Sequence, residues 1–242
     1  AFRLLHEARL LELWMPELTA GEGVSQNRYH AHDVLEHSLR TLDAAPREKP
    51  MVRWAAVLHD IGKPGTRAGE GADATFYGHA EAGARLADAL LARLRFGNEA
   101  RTRVVHLVRE HMFDYRPEWT DAALRRWLRR VGIESVADLF DLRIADVLAN
   151  PRHPGLPAHL EEMRVRIEAL LGAHPAVGVG DLAVDGHDVM RALGLAPGPE
   201  VRRVLEEMLE EIIERPERNE REWLLPWLAD RGASRRSATR EA

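Results

Sequence analysis

The chain has 242 residues, 45% hydrophobic and 30% charged, with a formal net charge of −5 and no cysteine. A chain of this length forms one large domain or a domain with an appendage, and can bury a sizeable core. The composition excludes disulfides, thiolate nucleophiles and Cys-ligated zinc; it gives no global basic field for nucleic acid and no apolar run near the ~20 residues of a membrane span, so a cytoplasmic enzyme or binding protein is expected.

Helical periodicity dominates, and Val/Ile/Thr alternation is scarce, so the fold class is all-α. The pattern places helices at about 2–14, 32–44, 50–61, 76–95, 98–113, 120–130, 135–150, 157–173, 186–194, 198–214 and 219–230, with Pro and Gly at most junctions. They group into a helical lead-in (1–24), a main bundle (25–173), a C-terminal helical tail (181–232) and a disordered end (233–242). The stretch "HPAVGVG" (174–180) reads as a hinge.

In chain order, the helix 32–44 opens on His32-Asp33, where Asp33 either caps the helix or orients His37 one turn on. His37 lies beside Val34 and Thr41 on the rim of the apolar face. The next helix ends in "VRWAAVLHDIGKPGT", where His59 and Asp60 follow the small residues Ala55 and Ala56, which let another helix approach. Gly62 reads as the residue that stops this helix. Lys63 then either neutralises a phosphate or interacts with the helix C-terminus.

His79 points inward at the start of the helix from 76, ahead of Ala82, Leu86, Ala89 and Leu90. His111 shares a face with Val104, Leu107 and Val108, whereas His106 is placed on the surface. "LRRWLRRVG" (124–132) is either a phosphate-contacting stretch or a solvated helix face. Asp146 falls in the stripe Leu139, Leu142, Ala149, where a carboxylate is costly unless it is paired or metal-bound. Arg143, one turn earlier, is a phosphate ligand or a salt-bridge partner. His187-Asp188, in "DGHDV", reads as a helix N-terminus. Inward-facing polar side chains at 37, 59/60, 79, 111 and 146 thus come from five helices. Shared metal ligation would satisfy all of them at once.

These residues carry a resemblance. "VLEHSL" around His37, "VLHDIGKP" around His59-Asp60 and "LRIADVLA" around Asp146 resemble, in order and spacing, the motifs of the HD-domain superfamily of metal-dependent phosphohydrolases. His79 in "YGHAEAGA" and His111 in "LVREHM" are similar to the additional histidines of members with a fuller site. "LLELWMPELTA" near the start and the tail from "GHDVMRALGLAPG" onward look like the corresponding parts of bacterial tRNA nucleotidyltransferases (CCA-adding enzymes).

The resemblance implies that His37, His59, Asp60 and Asp146 hold one divalent metal (Mn, Ni, Co, Fe or Mg). With His79 and His111, Asp60 would bridge a second. It assigns catalysis to Asp60 and Lys63 and phosphate contacts to Lys63 and Arg143. The implied activity is a phosphatase or 2′,3′-cyclic phosphodiesterase acting on nucleotides or RNA ends, with tRNA as a possible partner and no membrane. The alternative is a non-catalytic tRNA- or RNA-binding module, or the C-terminal part of a split tRNA nucleotidyltransferase. Nucleotidyl transfer in that family uses a Gly-Ser loop and an Asp-x-Asp metal pair, and neither occurs in these 242 residues. Nucleophile-elbow, phosphate-loop and His-Glu-x-x-His motifs are also missing.

Overall fold

The computed structural model describes residues 1–241 apart from 27–30, 70, 152–154, 156 and 174, and for 72 and 233–241 only the backbone. The first half of the chain forms α1 (Phe2–Glu7), α2 (Leu11–Trp14), α3 (Pro16–Thr19), α4 (Val34–Ala44), α5 (Pro50–Leu58), α6 (Lys63–Thr66), α7 (His79–Arg93) and α8 (Asn98–Glu110). The second half forms α9 (Asp121–Val131), α10 (Val136–Leu148), α11 (Ala158–Gly172), α12 (Gly186–Leu193), α13 (Pro199–Glu214) and α14 (Arg221–Glu241). Among the described residues there is no strand, only an isolated bridge between Ala68 and Thr75. The fold is all-α.

The long predicted lead-in helix is broken. Arg9 takes a positive φ of 60° after α1, so α1, α2 and α3 are short separate turns. Nothing in the local sequence marks the break, because Arg at this position carries no turn signal. At the other end, α14 continues to Glu241, across residues read as disordered. After Gly232 the sequence contains no Gly or Pro and is rich in Arg and Ala, which favour helix.

The contacts divide the chain into two compact units, Ala1–Asp114 with Glu134–Ala158, and Tyr115–Ile133 with His159–Ala242. Helices α9 and α11 therefore group with the C-terminal helices. This differs from the sequence-based grouping because helical amphipathicity shows that a face is buried, not which neighbour covers it.

In the first unit α5 is the central helix, in contact with α4, α8 and α10. Pro50 starts it with its φ preset. Its residues Val52, Ala55, Ala56, Val57 and Leu58 are all fully buried. Truncating Leu58 to Ala would cost about 2–5 kcal/mol. Asp33 caps α4, accepting the Glu36 backbone N–H at 2.7 Å and that of Gly23 at 2.9 Å.

The second unit has its own core, built from Val189, Val204, Met208, Leu209, Ile212, Ile213, Leu224 and Leu228. Here the arginine-rich stretch of α9 is neutralised. Arg125 is buried and donates to the Ile213 carbonyl at 2.7 Å. Arg126 pairs with Glu210 and Glu214, and Arg129 with Glu210. His187-Asp188 opens α12 as a capping box with Asp185, as its sequence suggests.

Candidate metal centre

The sequence-selected residues lie within the first unit and converge. His37 sits mid-way along α4. His59 is the C-cap of α5, with Asp60 next to it; His79 begins α7, and His111 is the C-cap of α8. Relative exposures are 2% for His37, 1% for His59 and Asp60, 8% for His79 and 3% for His111, so none is solvated.

Three of the rings are held in the same way. Nδ1–H of His59 donates to the Ala56 carbonyl at 2.8 Å, that of His79 to the Phe76 carbonyl at 2.8 Å, and that of His111 to the Val108 carbonyl at 2.7 Å. A carbonyl can only accept, so Nδ1 must carry the proton. In His79 and His111, which burial keeps neutral, Nε2 then presents a bare lone pair to the interior. Carbonyls at helix ends lack intrahelical partners. Placing His59 and His111 at the C-caps therefore satisfies the backbone and fixes the tautomer that suits metal ligation.

Four ring Nε2 atoms, those of His37, His59, His79 and His111, surround one carboxylate. Asp60 Oδ2 is 3.1 Å from His59 Nε2 and 3.8 Å from His37 Nε2. Asp60 Oδ1 is 3.5 Å from His79 Nε2 and 3.9 Å from His111 Nε2. The two oxygens thus serve two donor groups, His37–His59–Asp60 and Asp60–His79–His111, each compact enough to hold a metal ion. Asp146 joins the first group, with Oδ1 2.9 Å from His37 Nε2 and 3.8 Å from His59 Nε2.

Two observations favour a cation here over an ordinary polar core. His59 Nε2 is buried and has no hydrogen-bond partner among the described residues, although it lies 3.1 Å from Asp60 Oδ2. His79 and His111 point their Nε2 atoms at each other at 3.3 Å. Burial pushes His111 down to about 3, with the charge of His59 adding to the effect, and burial likewise lowers His79. Both rings are neutral near pH 7, so two lone pairs oppose each other with no proton between them. A divalent ion would supply the missing electrophile, and the donor set of imidazole and carboxylate suits Mn, Fe, Co, Ni or Zn.

The carboxylates are held ionised. Burial alone would raise Asp60, but the charges of His59 and Lys63 hold it well below the usual carboxylate range. Asp146 is likewise depressed against burial, by the hydrogen bond with His37 and the charges of His59, His37 and Arg143.

The structure corrects the reading of the turn after α5. Gly62 has φ −79° and ψ −15°, an ordinary right-handed conformation, so it is not a left-handed helix stop. Its lack of a side chain serves close approach. A Cβ there would lie 2.2 Å from the His79 carbonyl oxygen and 2.6 Å from the Gly83 nitrogen. Gly62 thus brings the start of α7, and His79 with it, against His59 and Asp60.

Lys63 is 6% exposed and donates to Asp60 Oδ2 at 2.7 Å and to Gln26 Oε1 at 2.6 Å. It is therefore a buried counter-charge to Asp60 rather than a cation on the end of α5. Arg143 forms a salt bridge with Asp146 Oδ2 at 2.7 Å. Gln26, also buried, was not singled out by sequence. Its amide donates toward the His32 and Asp33 carbonyls at 3.2 and 3.4 Å and so turns its oxygen to Lys63. No local signal could reveal a contact spanning 37 residues.

A cavity of about 650 Å³ opens onto the cluster, lined by His59, Asp60, Lys63, His79, His111, Arg143 and Asp146 and by an apolar wall that includes Phe76, Tyr77, Met112 and Val147. That is the size of a pocket for a small organic ligand.

Residues 34–150 match the HD domain family. The chain is 36% identical over 212 residues to an A-adding tRNA nucleotidyltransferase of Deinococcus radiodurans, covering 83% of this chain and 47% of that protein. It is 39% identical over 217 residues to a CC-adding tRNA nucleotidyltransferase of Thermus thermophilus, covering 86% of this chain and 47% of that one. A multifunctional CCA protein of Legionella pneumophila is 38% identical over 112 residues, 45% of this chain and 27% of the relative. The chain thus spans about half the length of the first two. Residues 34–150, from α4 to the end of α10, thus match an HD domain, and the chain is similar to about half of each of two bacterial tRNA nucleotidyltransferases.

Proposed function

We propose that the cluster is a divalent-metal centre that hydrolyses phosphoric esters of nucleotides or RNA ends, as a phosphatase, a 2′,3′-cyclic phosphodiesterase or both. The observation that supports this best is the fan of four histidine Nε2 atoms around a split carboxylate, with the 3.3 Å lone-pair contact of His79 and His111 as its sharpest element. In this reading His37, His59, Asp60 and Asp146 hold one ion, and Asp60, His79 and His111 a second. A bound divalent ion neutralises phosphate charge and lowers the pKa of a bound water toward neutrality. Lys63 keeps Asp60 ionised and centred. Arg143, partly exposed on the cavity wall, has donors beyond the one given to Asp146 and contacts a phosphate oxygen.

The test is to purify the protein without chelator, measure bound metal, and assay phosphate monoesters and 2′,3′-cyclic nucleotides with added Mn, Ni, Co and Mg. Stoichiometric metal with turnover supports the proposal. Metal-free protein that stays inactive with every ion sinks it.

A second reading follows from the similarity to tRNA nucleotidyltransferases: a body that grips tRNA and works with a nucleotidyl-transferring module. The pairing of Arg126 and Arg129 with glutamates removes the stretch that first suggested phosphate contacts. A tRNA titration over a salt series decides it, since phosphate contacts give binding that weakens steeply with salt.

A further inference from the structure

Two of the largest exposed apolar side chains of the chain line the cavity of the metal cluster. Tyr77 is 87% exposed and Met112 55%. Each is next to a cluster histidine in sequence, Tyr77 two residues before His79 and Met112 directly after His111. Both line the cavity, and the two histidine rings next to them in sequence are 5.2 Å apart. Phosphate chemistry has no use for such a wall. Leaving it in water forgoes the free energy of covering it.

The Tyr77 backbone is also held firmly. The Phe76 carbonyl before it accepts from both the ring and the backbone N–H of His79. The Phe76 ring lies over Lys63 Nζ at 5.6 Å. Gly78 after it takes φ +77°, a left-handed conformation that favours glycine, and α7 begins against Gly62. A tyrosine mounted on a fixed turn and exposed at a cavity edge presents a large flat surface with few torsions to order on binding.

From this we infer that Tyr77, with Met112 lining the same cavity, is the platform for the base of a nucleoside monophosphate whose phosphate lies toward Arg143 and Lys63 at the metal cluster. The inference rests on the proposed phosphohydrolase reading and narrows its substrate class to esters that carry an aromatic base. Charge and shape both fit: cationic Arg143 and Lys63 line the deep part of the cavity, and the apolar wall lines the rim. Stacking is sequence-tolerant, because every base has a π-face. Purines, with the larger face, bind more tightly than pyrimidines.

The experiment measures equilibrium binding of the non-hydrolysable phosphonate analogues of adenosine 5′-monophosphate and of base-free ribose 5-phosphate by calorimetry, with protein purified without chelator, for wild type, Tyr77→Ala and Tyr77→Phe. Wild type is expected to prefer the base-bearing compound. Tyr77→Ala is expected to reduce that preference roughly 5- to 150-fold, the range of one base–aromatic stack, and Tyr77→Phe to retain it. Equal affinities in wild type, or a preference untouched by Tyr77→Ala, overturn the platform. Turnover of the metal-loaded protein is assayed separately. A clear base preference without any hydrolysis would reject the phosphohydrolase reading and leave the platform standing. Hydrolysis indifferent to the base would do the reverse.

Discussion

Replacing Asp60 with Asn separates a metal centre from a polar core. The change is nearly isosteric but removes the only charge shared by both donor groups, whose four Nε2 atoms lie 3.1–3.9 Å from its oxygens. If a divalent ion binds the wild type, saturation at a hundred times Kd adds about 2.7 kcal/mol to stability. For a chain of this size that corresponds to a rise in Tm of roughly 5–11 °C. The assay is thermal unfolding followed by circular dichroism, with and without Mn or Ni after chelator treatment, alongside elemental analysis.

Asp60→Asn should lose both the bound metal and the metal-dependent rise. It also strands buried Lys63, whose other acceptor is Gln26 Oε1 at 2.6 Å. Breaking a buried ion pair from one side costs about 3–5 kcal/mol, so this variant melts early even without metal. His59→Gln avoids that penalty. It removes one ligand nitrogen, leaves the Lys63–Asp60 contact in place, and should weaken the metal response with a smaller loss of baseline stability. A wild type that binds no metal and shows no shift, or an Asp60→Asn protein that responds as the wild type does, refutes the reasoning.

Three further outcomes follow from the same geometry. Gly62→Ala should destabilise the first unit and lower metal content, because its Cβ would meet backbone atoms at 2.2 and 2.6 Å; an unchanged Tm and metal content would contradict the close approach. Gln26→Leu removes the second acceptor of Lys63, and chemical denaturation should show a loss of about 1.5–3 kcal/mol, the scale of a hydrogen bond to a charged group. In the second unit, the hydrogen bonds from Arg221, opposed by burial and helped by the Asp185 backbone, lower Asp188 from 3.8 to about 2. Its folded-state value is thus below its unfolded one, so its contribution is complete above pH 4 and is lost as the pH falls from about 4 to 2. Acid titrations should therefore separate wild type from Asp188→Asn in that window, and coincident curves there would rule out the pairing as a source of stability.

Periodicity made most of the helices legible, and it placed His79, His111 and Asp146 on inward faces. It also singled out His59-Asp60 from the other two His-Asp pairs, both of which turn out to open helices through the caps Asp33 and Asp185. Gly62 was found but misread. A glycine at a helix end signals a left-handed stop, and a glycine needed for close approach looks the same in sequence. Lys63 and Arg143 were found as cations; Arg143 takes the salt-bridge role that its spacing from Asp146 allowed, while the contact of Lys63 with Gln26 became visible only in space.

The sequence by itself determined the helical class, the inward polar residues and the motif order, because these depend on spacings of three and four residues along one helix. The tertiary structure decided what those spacings cannot encode: that Asp60 turns one oxygen to each histidine pair, that Gln26 clamps Lys63, that glutamates of α13 neutralise the arginines of α9, and that Tyr77 and Met112 face the same cavity. Each joins residues from different elements or distant turns, and their relative positions are set by the packing of those elements rather than by the periodicity of any one of them.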